Sequence, residues 1–228
     1  MASYHDDPGL RDRAPVFRDR NAAGRHLASM LSRYRGSGAL VAAIPAGGVP
    51  VAAEISAALE LALEVIPVSK ILLPWNSESG FGAVAFDGCV WVNEDTAARC
   101  GLSEDAVKRA MAEAQSKVKR RLELIRGDRA QLDFNGRNVL VVDDGIAAGS
   151  TLRVAIDSVR KLGADQVIVV TPTGHASSVA AIAELADEVW CANVRGGFSF
   201  AVADAYERWY DLSDAEIISL LESAAHRG

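Results

Sequence analysis

Two adjacent carboxylates, Asp143 and Asp144, close an apolar run in the stretch VLVVDDGIAAGST at positions 139–151. Gly145, Ile146, Ala147, Ala148 and Gly149 follow without a charge among them, and then come the hydroxyls of Ser150 and Thr151. Carboxylates at the carboxyl end of a buried strand can accept hydrogen bonds from the vicinal hydroxyls of a sugar. A loop of small residues lets backbone N–H groups approach a phosphate, and the N-terminus of the next helix adds a favourable dipole. Side by side, the two halves describe a site for a phosphorylated ribose. A Walker-type nucleotide site is not supported, because GxxxxGK(S/T) is absent and the loop holds no lysine. GxGxxG, the dinucleotide fingerprint, is missing as well. Without a ligand, the stretch would be an ordinary acidic strand-to-helix turn.

The elements around this stretch alternate. Asp19 can cap a helix over 20–34, with Ala23, Leu27, Met30, Leu31 and Tyr34 near one face. GALVAAIP (38–45) reads as a buried strand and AGGVPVAAEISAALEL (46–61) as a Gly-rich turn opening a helix. LEVIPVSKIL (63–72) reads as a second apolar strand, and 74–81 as an exposed, mobile loop around Trp75. A hairpin is expected over 82–94, turning at Asp87-Gly88. A long helix is expected from Ser103 to about Arg126. Strand 138–142, a helix over 150–162, strand QVIVVTP, helix SVAAIAELA and strand EVWCA follow. Ser213 and Glu216 form a capping box for a last helix over 214–225. Strand–helix alternation of this kind specifies an α/β fold with a parallel sheet.

Bulk properties narrow the class. The chain has 228 residues, 50% hydrophobic and 24% charged, which suits one globular domain over 1–228. A net charge of −6 argues against general nucleic-acid binding, which needs a basic surface. Three cysteines, Cys89, Cys100 and Cys191, lie far apart with no CxxC pair, so neither a disulfide framework nor a zinc site is expected. The polar, acidic start and the short apolar runs point to a cytoplasmic protein with no membrane span.

VLVVDDGIAAGST resembles the phosphoribosyl-pyrophosphate (PRPP) signature of the type I phosphoribosyltransferases. The segments FRDRNAAGRHLA, IPAGGVPVAAEI and FGAVAFDG are similar to a bacterial and archaeal branch of that family. The resemblance implies an open, mainly parallel sheet of about five strands flanked by helices, with the core over about 36–192. It also implies a small hood from the N-terminal and C-terminal segments and a flexible hairpin loop. The implied activity is magnesium-dependent transfer of phosphoribose from PRPP to a small-molecule acceptor, a nucleobase being one candidate, with release of pyrophosphate, in a homodimer. Carried over by position, Asp143 and Asp144 would hold the ribose hydroxyls, with the ion carried by PRPP close by, and residues 145–151 would wrap the 5′-phosphate. Ala46, Gly47 and Gly48 would form the pyrophosphate loop, Lys70 would be a second pyrophosphate contact, and 74–81 would be the closing loop.

Two positions depart from the branch. Ala46 stands where it usually carries arginine before the two glycines, and Ser69 where another arginine tends to precede the lysine. A charge-assisted hydrogen bond contributes roughly 1.5–3 kcal/mol, so one lost arginine would weaken pyrophosphate binding about ten- to a hundredfold. These gaps motivate an alternative, a non-catalytic PRPP or nucleotide sensor; hydrolytic or phosphorolytic chemistry on a nucleotide is a third. Ala147 replaces an aspartate common in 6-oxopurine salvage enzymes, which lowers the odds of those acceptors.

Other residues are candidates beside blander roles. His175 on the site's rim is a candidate base contact or a turn residue. Tyr206 and Trp209 could stack on a base or simply pack. Trp75 suits a lid or a dimer contact, and Glu78 a general acid or base or a solvated carboxylate. The basic run KVKRR (117–121) reads as a solvated face near a helix C-terminus.

Overall fold

A computed structural model describes residues 3–126, 133–197 and 199–225. Its centre is a six-stranded, all-parallel sheet in the order β1-β9-β8-β7-β2-β3. These strands are β1 (Ser3–His5), β2 (Leu40–Ala43), β3 (Ala62–Val65), β7 (Asn138–Val142), β8 (Gln166–His175) and β9 (Glu188–Arg195). The interior strands are apolar almost throughout because helices cover both faces of the sheet. Alternate residues serve opposite cores. Val41, Ala43, Leu140, Val142, Ile168 and Val170 pack with Leu27, Ile55 and Ile217 on one face. Leu40, Ala42, Val139, Val141, Val167 and Val169 pack with Leu152, Ile156, Val179 and Ile182 on the other.

The first face is covered by α1 (Arg20–Met30), α2 (Gly48–Leu59) and α7 (Asp214–Ala225), the second by α5 (Ser150–Lys161) and α6 (Ala176–Ala183). Asp19 caps α1, its side chain accepting from the Ala22 N–H at 2.9 Å. Ser213 and Glu216 hydrogen-bond to each other at the entrance of α7, as a capping box does. A second sheet, antiparallel β4-β5-β6, comprises Val68–Leu73, Asn76–Ala85 and Val90–Val92. It packs on the short α3 (Glu94–Arg99) and the long α4 (Glu104–Arg126) through Ile71, Phe81, Val84, Ala97, Ala114 and Val118.

The structure departs from the sequence expectations at several places. The run 63–72 is two strands in two sheets, because the chain leaves the parallel ladder at Ile66-Pro67 and Pro67 has no N–H to continue it. Residues 74–81 are a two-residue turn, Pro74-Trp75, and the first part of β5, with Leu73 opposite Asn76. The expected hairpin over 82–94 is present, but it turns through three residues, with Ala85 bonded to Cys89 across Phe86-Asp87-Gly88. The main sheet has six strands where about five were expected, since β1 adds a parallel edge to β9.

The sheet order places the site. From β2 the chain proceeds to β3 on one side, and from β7 to β8 and β9 on the other. β2 and β7 are neighbours in register, Ala43 opposite Val142, so their carboxyl ends flank the point where the winding reverses. Ligands in open α/β sheets bind in the crevice at such a point.

Candidate active site

The crevice is a cavity of about 600 Å³. One wall is the end of β7 and the loop into α5: Asp143, Asp144, Gly145, Ala147, Ala148, Gly149, Ser150 and Thr151. Facing it are Ala46 and Gly47 after β2, and Ser69, Lys70 and Leu72 of β4. Of the candidates in the two loops, Ile146 and Gly48 do not line the cavity. Ile146 is fully buried beneath it, pinned to β8 by its N–H to the Thr173 carbonyl at 2.8 Å and by its carbonyl to the His175 N–H at 3.0 Å. That anchor leaves the small residues of the loop as the cavity wall.

Gly48 sets how close the two loops come. A Cβ there would lie 2.5 Å from the Val142 carbonyl oxygen, so no larger residue fits against the end of β7. At Gly47 a Cβ would fall 1.7 Å from Asp144 Oδ2. The pyrophosphate-loop candidate and the second carboxylate are thus in direct apposition. The Pro45-Ala46 peptide between them and β2 is cis.

The two carboxylates differ in their partners. Asp143 Oδ1 accepts from the Asp144 N–H at 2.9 Å, and Oδ2 lies 3.5 Å from the Thr151 hydroxyl. Burial, and then the neighbouring Asp144 charge, raise the Asp143 carboxyl well above the usual carboxylate range, against a pull from Lys70. Asp144 is also raised by burial, but Arg20 opposes that rise. Arg20, the first residue of α1, donates from Nε to Asp144 Oδ2 at 2.9 Å and from Nη1 to the Tyr210 carbonyl at 2.9 Å. Its guanidinium lies 3.8 Å from the centre of the Trp209 ring. Tyr206, buried, donates its hydroxyl to the Asp144 carbonyl at 2.7 Å. The N-terminal segment carrying Arg20 is tied to the C-terminal one by Glu207 N–H to Phe17 O and Arg208 N–H to Arg18 O, both 2.9 Å. Both segments converge on Asp144.

Some candidates lie elsewhere. His175 hydrogen-bonds to Ser177 Oγ at 2.8 Å and the Gly197 carbonyl at 3.0 Å, outside the cavity lining. Tyr206 and Trp209 pack around Arg20. Trp75 is 64% exposed at the tip of the β4–β5 turn, beside a second cavity. The Glu78 side chain lies outside the described residues.

Two residues of this region carried no role in the sequence reading. Arg20 stands on the buried stripe of α1 with Ala23 and Leu27, and a cation at such a position needs a carboxylate partner. Arg121 belongs to KVKRR, but it lines the cavity, three residues after the buried Val118 and four before the buried Ile125. In both, helical spacing from buried neighbours was the available signal.

The same residues connect the chain to known proteins. A family model described as phosphoribosyl transferase domain matches residues 87–205, which include the acidic pair and its loop. Two curated proteins of Mycobacterium tuberculosis (strains CDC 1551 / Oshkosh and H37Rv), named "Putative phosphoribosyl transferase" MT0597 and Rv0571c, are 37% identical over 212 residues. Those alignments cover 93% of this chain but 47% of each relative, so the chain spans about half the length of the curated relatives it matches. The crystal structure of TT1426 from Thermus thermophilus is similar with a TM-score of 0.73 and 29% identity, over 91% of this chain and 98% of that one. With the carboxylate pair, the bare loop and the parallel sheet in place, the chain belongs to the phosphoribosyl transferase domain family.

Proposed function

We propose that the chain transfers the 5-phosphoribosyl group of PRPP to a small-molecule acceptor and releases pyrophosphate. The observation that carries this is the apposition, across one cavity, of the acidic pair with its bare loop and of Ala46-Gly47 with Lys70. The 5′-phosphate would take N–H groups at the start of α5, where the first turn of a helix leaves them without intrahelical partners. The ribose hydroxyls would donate to Asp143 and to Asp144 Oδ1, since Arg20 already engages Oδ2. The pyrophosphate would lie toward residues 46–48 and Lys70. In the reaction the bond from the anomeric carbon to pyrophosphate breaks and a bond to the acceptor forms. Pyrophosphate keeps the bonding pair, and charge builds on its oxygens as the ribose becomes cationic. Positioning and fixed charges aimed at those two centres are what this cavity would supply.

Magnesium fits the donor set. Asp143 and Asp144 are hard oxygen donors at the cavity, and the described residues contain no cluster of three or more His, Cys, Asp or Glu that would cage a metal alone. Magnesium is commonly held by one or two carboxylates together with substrate phosphates. When bound, it would neutralise charge on the pyrophosphate. A net charge of −6 supports small-molecule partners over nucleic acid, and no described helix is long and apolar enough to cross a membrane. A cytoplasmic location, expected from the cysteine usage and the short apolar runs, and a homodimer, expected from the family resemblance, belong to this same proposal.

Ala46, with no charge to offer pyrophosphate, favours a second reading, a PRPP or nucleotide sensor without turnover. Calorimetric titration with PRPP, with and without magnesium, tests the site. Magnesium-dependent binding is expected, and silence at millimolar PRPP and ribose 5-phosphate would overturn both the transfer reading and PRPP sensing. Pyrophosphate release across a panel of nucleobases then separates enzyme from sensor.

A further inference from the structure

Position 46 leaves the pyrophosphate side of the cavity short of positive charge, and so does Ser69. Pyrophosphate is polyanionic, and its binding needs cations or N–H groups close by. Among the described residues that line the cavity, two carry positive charge: Lys70 from β4 and Arg121 from α4. Arg121 reaches the cavity from a helix that follows the second sheet, about seventy-five residues after Ala46 in the chain.

We infer that Arg121 is the pyrophosphate-binding arginine of this protein, supplied from α4 in place of one at position 46, with Asp214 as its resting partner. This rests on the phosphoribosyl-transfer reading above and names a residue for it. Three features support the assignment. The helix is anchored where Arg121 leaves it, because Val118 and Ile125 are buried and α4 packs along β4, the strand of Lys70. Lys119 and Arg120 are exposed and do not line either cavity, while Lys117 lines the adjoining one, so Arg121 alone in the run faces the crevice.

The third feature is the weakness of its present tie. Arg121 Nη2 lies 3.1 Å from Asp214 Oδ1, with side chains 34% and 40% exposed. Ion pairs at that exposure contribute little. A guanidinium can exchange such a partner for two phosphate oxygens, which match its planar fork better and carry more charge. Asp214 opens α7, whose N-terminus favours the carboxylate after Arg121 has turned away. The ligand-free pair would keep the arginine poised at the cavity mouth without burying an unpaired charge.

The test is calorimetry of the full chain with magnesium-PRPP and, separately, ribose 5-phosphate. Arg121→Ala should weaken PRPP about ten- to a hundredfold, the loss of one charge-assisted contact, and change ribose 5-phosphate by less than about twofold. Arg121→Lys should fall between the two proteins. Asp214→Asn should bind PRPP as well as the unsubstituted chain or more tightly, and Ala46→Arg should rescue Arg121→Ala. The two conservative variants carry the test if the alanine variant does not fold. PRPP affinity unchanged in Arg121→Ala, or an equal loss of both ligands, would overturn the assignment and leave the PRPP site standing. An unsubstituted chain that binds neither ligand would instead overturn the transfer reading beneath it.

Discussion

Arg20→Ala removes the guanidinium that, among the described residues, engages Asp144. The pair is buried, with side chains 8% and 15% exposed and a 2.9 Å contact. Removing one member of a buried pair costs about 3–5 kcal/mol, because the other charge is left in a poorly solvated place. The same substitution also deletes the bond to the Tyr210 carbonyl and the stack on Trp209, which places the cost toward the upper end. For a chain of this size, each kcal/mol shifts Tm by about 2–4 °C, so a drop of about 6–20 °C is expected near pH 7.5. The pH dependence has a definite sign. Burial holds the Asp144 carboxyl above its ordinary value and Arg20 pulls it back. A carboxyl raised in the folded state favours folding at low pH, and that advantage is lost as pH rises through the folded value. Without Arg20 the folded value climbs further, so the loss continues to higher pH. The gap between the two proteins should therefore narrow toward pH 4.5, leaving the part owed to the Tyr210 and Trp209 contacts, and be widest above neutrality. Thermal melts from pH 4.5 to 8 measure it. A drop below about 3 °C at pH 7.5, or a gap that does not narrow on acidification, would refute the claim that Arg20 neutralises a buried Asp144.

Asp143→Asn should stabilise the ligand-free protein by about 0.5–2 kcal/mol near neutral pH while abolishing PRPP binding, the trade expected where an active site stores unfavourable charge. Because the Asp143 carboxyl is raised by burial and by Asp144, the gain should vanish at acid pH, where the native group is already neutral; urea melts at two pH values read it. Gly47→Ala places a methyl 1.7 Å from Asp144 Oδ2, so the loop or the carboxylate must move. Overpacking of this kind costs about 1–3 kcal/mol, and calorimetry should show PRPP affinity lost with it.

Several parts of this architecture were open to reading from the chain. The strands at 40–43 and 138–142 are apolar runs bounded by turn residues, and a strand buried on both faces has to be apolar throughout. The acidic pair and its loop were equally plain, since thirteen consecutive residues carry the whole pattern. Residues 74–81 misled for a physical reason. Their polar, turn-rich composition has weak strand propensity, but β4 and α4 supply the hydrogen bonds and cover that make 76–81 the first part of β5. Ser3–His5 is a three-residue polar segment that becomes a strand only because β9, some 180 residues away, offers an open edge.

What the sequence determined by itself is therefore local: a parallel α/β chain, a carboxylate pair at a strand end, and a loop bare enough for a phosphate. Which charges surround that pair was decided by the tertiary structure. Arg20 and Asp144 are separated by 124 residues and meet because α1 packs on one face of the sheet that carries β7. Arg121 comes to the cavity because the strands after Pro67 form a second sheet and α4 lies across it. Periodicity can show that a side chain faces inward, but only the packing of elements distant in sequence determines what it faces there.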